Sequence, residues 1–194
     1  MALVQRGKLI VVAGPSGVGK SSIIDGVLAA TNSKFSVSAT TKPARAGEVD
    51  GVDYHFLSCK AFQEAIENDL LLEWAEFAGH LYGTMMNEVE PALDAGVNVV
   101  LNIEIEGAKQ VRKSHPNGIF IFITPPSLEE LRARLESRGD TSPEDIDRRF
   151  SVAEREIDGA PEVFDHFVVN DDLSDAIAQV LDILQGPASA VPGS

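Results

Sequence analysis

Leu9-Ile10-Val11-Val12-Ala13-Gly14-Pro15-Ser16-Gly17-Val18-Gly19-Lys20-Ser21-Ser22 is the stretch that decides the fold. Its five leading apolar residues read as a strand buried on both faces. A glycine-rich turn follows, and Ser21 to about Ala30 reads as a helix. The turn matches G-x-x-x-x-G-K-[ST] in the strand, loop and helix setting that this pattern requires. Its glycines let the backbone curl so that successive N–H groups converge on phosphate oxygens, and the positive end of the following helix adds to that field. Gly14, Pro15, Ser16, Gly17, Val18, Gly19, Lys20, Ser21 and Ser22 are therefore candidate ligands of a nucleoside triphosphate. Lys20 would reach its outer phosphates, and the Ser21 hydroxyl would ligate Mg²⁺.

Beyond this helix the texture changes. Phe35 to Thr41 alternates and is β-prone, then turns basic at Lys42 and Arg45. Asp50-Gly51 is a turn signal, and Tyr54-His55-Phe56 resumes strand character. Ser58 can cap a helix over Lys60 to Asn68. Leu70 to Phe77 and Leu81 to Thr84 read as two strands around an Ala78-Gly79-His80 turn, with Trp74 expected in the core. Residues 35–84 thus form a small β-rich insertion. The core, residues 1–34, 85–127 and 161–186, resumes with a helix near Asn87 to Ala95 and a strand over Val97 to Ile103, which Glu104 to Gly107 end. A helix over Ala108 to Lys113 and a strand over Ile119 to Thr124 follow.

Ser127-Leu128-Glu129-Glu130 is a capping box that opens a basic helix, and Ser142-Pro143 opens another that runs to about Ile157. Arg138-Gly139 between them reads as a hinge, so residues 128–160 form a candidate lid. Phe164 to Val169 is the last strand and Ser174 to Leu184 the closing helix. Residues 187–194 have the composition of a disordered tail. Strands alternating with helices imply an α/β fold of the phosphate-loop type, a doubly wound parallel sheet with the loop at the carboxyl ends of its strands.

The 194 residues suffice for one domain with a sizeable core. No apolar stretch reaches membrane-spanning length, and the polar start does not read as a signal peptide. One cysteine, Cys59, allows no intrachain disulfide, which fits a reducing cytoplasm. A net charge of −14 argues against nucleic acid or anionic membrane as a partner. It leaves room for small anions held by local cations. The four histidines show no metal-ligand spacing. A guanine-specific switch GTPase would carry N-K-x-D, whereas Asn170-Asp171-Asp172 lacks the lysine. Instead the insertion offers a second anion site at Ser38, Lys42, Arg45 and Tyr54, followed by the carboxylate Glu73 beside Tyr82 and Thr84. A triphosphate site, a second anion site and a mobile cationic segment between them are what phosphoryl transfer between two nucleotides needs.

In GPSGVGKS, SATTKPARAGEVDGVDYHF, EWAEFAGHLYGT, ESRGDTSPEDIDRR and VVNDDL, the chain resembles the guanylate kinase family from about Gly7 to Leu184. The resemblance implies ATP + GMP ⇌ ADP + GDP, dependent on Mg²⁺ bound with ATP, with dGMP as a second acceptor; the sequence leaves both a monomer and a homodimer open. It implies that Ser38, Arg45, Tyr54 and Tyr82 hold the GMP phosphate and that Glu73 and Thr84 read the guanine. Guanine presents N1–H and an exocyclic NH₂ side by side, two donors for one carboxylate. Arg138 and Arg149 map onto lid arginines that act with Lys20 on the transferring group, and Arg134 and Asn170 lie toward the adenine.

Two departures stand out. Lys42 stands where the family usually has a second arginine, and Asn102-x-Glu104-x-Glu106-Gly107 where it often reads D-x-D-x-Q-G or E-x-E-x-Q-G. Glu104 keeps a carboxylate for the second nucleotide, and Asn102 or Glu104 could reach Mg²⁺ through water. Arg132, Arg148 and Arg155 read as surface residues paired with acids at helical spacing. Two other functions stay open: a catalytically silent guanylate-kinase-like binding module, against which Lys20 and the lid arginines argue, and a sister kinase of a phosphorylated sugar, which would have no use for Glu73 and Thr84.

Overall fold

The computed structural model describes residues 5–137 and 142–186. In chain order, β1 is Leu9–Ala13, α1 Lys20–Ala30, β2 Ser33–Phe35, β3 Ala39–Thr40, β4 His55–Phe56, α2 Cys59–Glu67, β5 Leu71–Phe77 and β6 His80–Met85. They are followed by α3 Met86–Asp94, β7 Asn98–Asn102, α4 Ile105–Ser114, β8 Ile119–Thr124, α5 Leu128–Glu136, α6 Pro143–Gly159, β9 His166–Val169 and α7 Leu173–Gln185. Arg138, the Gly139 break and the tail 187–194 lie outside the described residues.

Five strands form a parallel sheet in the order β2-β7-β1-β8-β9. The central strand β1 is buried along its whole length because helices cover both faces. Its alternation divides the core. Ile10 and Val12 face Ile23, Ile24 and Val27 of α1, Leu131 and Leu135 of α5, and Val180 of α7. Leu9, Val11 and Ala13 face Val89 and Leu93 of α3, Val111 of α4, and Phe164. The continuous apolar runs in the sequence are thus the signature of a two-sided sheet, as expected for the α/β class.

A second, mixed sheet has the order β4-β3-β6-β5. β5 and β6 form a hairpin whose tip residues Ala78 and Gly79 have φ of 51° and 78°, a two-residue turn suited to strand twist. Ahead of Glu73 the register slips: Leu71 pairs with Met85 and Glu73 with Thr84, so two steps on β5 match one on β6. This bulge turns two consecutive side chains, Leu72 and Glu73, inward. It corrects the expectation for Trp74, which is 39% exposed because the bulge moved it to the outer face.

Three further boundaries differ from the sequence reading. Ser33–Phe35 pairs with β7 in the large sheet, so the β-prone stretch from Phe35 to Thr41 divides between two sheets. α4 begins at Ile105, with Glu104 in the cap position and Glu106 in its first turn, where a carboxylate is favoured by the helix dipole. The last strand starts at His166, since a short 3₁₀ turn over Ala160–Glu162 leads Phe164 into the core. The starts of α2, α5 and α6 are capped by the side chains of Ser58, Ser127 and Ser142, as the sequence implied. Among the described residues no helix is long and apolar enough to cross a membrane.

Candidate active site

The phosphate loop leaves β1 at Gly14 and enters α1 through Gly19, whose φ of 96° suits glycine alone among common residues. A Cβ there would lie 2.4 Å from the Asn170 amide nitrogen. That amide donates to the Val18 carbonyl at 2.7 Å, so Asn170, at the end of β9, buttresses the loop from behind. The Arg134 guanidinium in turn donates to the Asn170 carbonyl at 3.0 Å. Pro15 is buried, Ser16 and Gly17 are half-buried, and Ser21 and Ser22 are exposed on the first turn of α1.

Lys20 folds back over the loop and donates to the carbonyls of Gly14 and, at 3.3 Å, Pro15. Burial pulls its ammonium pKa down, while Glu104 and Glu156 act in the opposite direction. Three elements therefore converge on this lysine: the loop, the start of α4 and the helix α6. Glu156, which the sequence reading missed, is pushed up to about 8 by burial and by a hydrogen bond shared with Glu104. Arg149 lies two helical turns before Glu156, on the same side of α6, and is half-buried. A cavity of about 640 Å³ opens here, bounded by Trp74 and Glu76 of β5, Glu104 and Glu106, and Val152 and Glu156 of α6. Asn102 ends β7 directly beside Val12 of β1.

The small sheet carries the second cluster. Lys42 is 9% exposed and its ammonium lies 4.7 Å from the centre of the Tyr54 ring and 5.2 Å from that of Phe56. It pairs with Glu48 at 2.5 Å, and the same Glu48 oxygen accepts from the Arg45 backbone N–H at 2.7 Å. These bonds, the backbone one foremost, hold the Glu48 carboxyl below its ordinary range. Tyr54 and Tyr82 meet edge to face with centroids 6.0 Å apart, and burial raises the Tyr54 phenol pKa. Ser38 precedes β3, and its carbonyl accepts from the His55 N–H at 2.9 Å. The structure therefore brings Lys42, Arg45, Tyr54 and Tyr82 to one end of this sheet.

Glu73 and Thr84 face each other across the hairpin, 4% and 1% exposed. Thr84 Oγ1 donates to Glu73 Oε1 at 2.7 Å. Burial pushes the Glu73 carboxyl up to about 7, opposed by the hydrogen bonds from Thr84 and reinforced by the charge of Glu104. A cation-free buried carboxylate is costly unless donors reach it. Of the arginines set aside from the site, Arg132 pairs with Glu136 and Asp147 and Arg148 with Asp145, as expected. Arg155 is exposed but departs from the expectation, since its guanidinium donates to the Ser151 carbonyl at 3.2 Å and it lines the cavity beside Glu156.

A phosphate loop on the large sheet, a cationic cluster with a buried carboxylate on the small one, and α6 lining a cavity with β5 and α4 are the arrangement that a phosphate-loop nucleoside monophosphate kinase needs. The family model described as guanylate kinase matches residues 6–186. A guanylate kinase of Thermus thermophilus is 49% identical over 179 residues, 92% of this chain and 81% of the relative. One of Desulfitobacterium hafniense is 48% identical over 180 residues, covering 92% and 90%. The crystal structure of guanylate kinase from Anaplasma phagocytophilum superposes with a TM-score of 0.77 at 32% identity, covering 94% of this chain and 87% of that one. The chain belongs to the guanylate kinase family.

Proposed function

We infer that this protein transfers the terminal phosphoryl group of ATP to GMP, giving ADP and GDP, and accepts dGMP as well. The observation that carries the reading is Glu73: a buried carboxylate whose donors among the described residues come from Thr84, on the sheet that also bears Lys42, Arg45, Tyr54 and Tyr82. Guanine would bring N1–H and NH₂ to its remaining lone pairs, whereas adenine has an unprotonated N1 there. The GMP phosphate would displace Glu48 as the partner of Lys42 and Arg45, helped by Ser38 and the two tyrosines. The ATP phosphates would lie in the loop from Gly14 to Ser22, with Arg134 and Asn170 toward the adenosine.

No general base is required, because the attacking phosphate oxygen is already anionic. Catalysis then rests on alignment and on Lys20, Arg149 and Arg138 neutralising charge on the transferring group. Glu104, beside Lys20, would face the second nucleotide. The division into core, GMP-binding insertion (35–84) and lid (128–160) belongs to the same proposal.

The donor set suits Mg²⁺ that arrives on the nucleotide. Among the described residues no three acidic, histidine or cysteine side chains converge as an all-protein cage, but Ser21 offers a hydroxyl, and Asn102 and Glu104 offer oxygens able to act through water. Bound there, the ion would supply charge neutralisation on the phosphates.

The direct test is label transfer from ATP carrying ³²P in its terminal phosphate. Labelled GDP appearing only when GMP is added supports the reading. Label released solely as inorganic phosphate, or passed equally to AMP, would overturn it.

A further inference from the structure

Glu73 is fixed from outside its own sheet. β5 is the edge of the small sheet, and α4 runs along its free side. Gly107 and Gln110, one helical turn apart, meet it at successive residues. A Cβ on Gly107 would lie 2.3 Å from Glu73 Oε2 and 3.0 Å from its carboxyl carbon, so the bare Cα is what admits the carboxylate. Gln110 then binds both backbone groups of Trp74, accepting from its N–H at 3.2 Å and donating to its carbonyl at 2.7 Å. One side-chain amide thus serves the strand as a neighbouring strand would.

Gly107 has no conformational reason to be glycine. It sits within α4 and is not among the residues of positive φ. Inside a helix, glycine costs about 1 kcal/mol relative to alanine. Close approach of the Glu73 carboxylate accounts for that cost. The carboxylate is held between Thr84 Oγ1 on one oxygen and the Gly107 backbone on the other, just beyond the bulge that turned it inward.

We propose that Gly107 and Gln110 are positioning residues for base recognition: α4 clamps β5 so that the Glu73 carboxylate meets the guanine edge in one orientation. This rests on the reading of Glu73 as the residue that reads the base. The clamp also explains why specificity in the small sheet depends on a helix of the large one.

The test is a double-mutant cycle read as kcat/KM for GMP and for IMP, which lacks the exocyclic NH₂, together with the KM for ATP. Gly107→Ala should raise the KM for GMP by about tenfold or more, since sub-ångström to ångström misplacement is costly in a preorganised site. It should lower the GMP/IMP preference and leave the KM for ATP unchanged. In a Glu73→Asp background the carboxylate withdraws by about 1.5 Å, one carbon–carbon bond. There the added methyl should cost almost nothing. An undiminished penalty in that background, or equal losses for GMP and IMP, would make Gly107 a packing residue and overturn the proposal. Should Gly107→Ala fail to fold, Gln110→Ala decides. It should lower the GMP/IMP preference about threefold with ATP binding intact, the scale of one lost hydrogen bond, and an unaltered preference overturns the clamp. Glu73→Gln is the separating control: if it leaves the GMP/IMP preference unaltered, the base-reading assignment has failed rather than the clamp.

Discussion

Replacing Glu73 by glutamine should make the ligand-free protein more stable, by an amount that grows as pH rises from about 4.5 to about 7. The folded carboxyl titrates at about 7, against an ordinary value of 4.5. Its folded pKa is raised, so the folded state holds the extra proton between those values. Stability is then greatest below about 4.5, declines as pH rises toward 7, and levels off above. At 1.36 kcal/mol per pH unit, the accumulated penalty is about 3 kcal/mol by pH 8 and under about 1 kcal/mol at pH 5. Glutamine carries no such term, and Glu156, also raised, is common to both proteins and cancels. Any fixed cost of the amide shifts every pH equally, so the slope carries the test. Urea unfolding of both proteins at pH 5, 6, 7 and 8 should show the gap widening from pH 5 to 7 and then levelling off, equivalent to roughly 5–10 °C in Tm at pH 8. Saturating GMP should narrow or reverse that gap by binding the folded wild type. A pH-independent gap, or a glutamine variant losing ground as pH rises, would mean that the fold itself satisfies the carboxylate.

Lys20→Met should lower kcat by about a thousandfold or more, on the scale of losing a main stabiliser of developing charge, with the fold intact by circular dichroism. Near-normal turnover would remove Lys20 from the reaction. Arg149→Ala should depress kcat far more than it alters the KM for GMP; a change confined to KM would assign Arg149 to ground-state binding instead. Lys42→Ala should raise the KM for GMP, while Lys42→Arg, which can grip phosphate through two parallel hydrogen bonds, should keep or tighten it. An unaffected KM in Lys42→Ala would place the phosphate elsewhere.

The large sheet was legible because β1, β7 and β8 are buried on both faces and so appear as unbroken apolar runs beside a loop of fixed pattern. Serine caps gave the helix starts at Ser58, Ser127 and Ser142 for an equally local reason. What escaped the sequence depends on contacts distant along the chain. Strict alternation makes Trp74 an inward residue, and only the pairing of β5 with β6 reveals the extra residue that reverses it. Glu73 and Thr84 took their base-reading role from resemblance, yet the bulge is what explains the burial of Glu73. Gly107 looked like part of a strand ending, and its closeness to Glu73 spans 34 positions of sequence. Gln110 and Glu156 carried no local signal, being an unremarkable amide and acid on polar helix faces. A glycine where helix propensity favours alanine was the one available hint at Gly107. Lys42, read from its basic context, is nearly buried against Tyr54 and Phe56, which alternation around a short strand pair could not foretell.

The most direct measurement of the central claim is kcat/KM for GMP and IMP in the wild type and in Glu73→Gln. On the proposed reading, both guanine donors meet the carboxylate in the wild type. Charge-assisted hydrogen bonds of this kind are worth about 1.5–3 kcal/mol each. The glutamine amide would set a donor against a donor, so kcat/KM for GMP should fall by about a hundredfold or more, and that for IMP by less. The GMP/IMP ratio should therefore collapse toward unity in the variant. A ratio that stays at its wild-type value would contradict the account, for Glu73 would then not be the residue that reads the base.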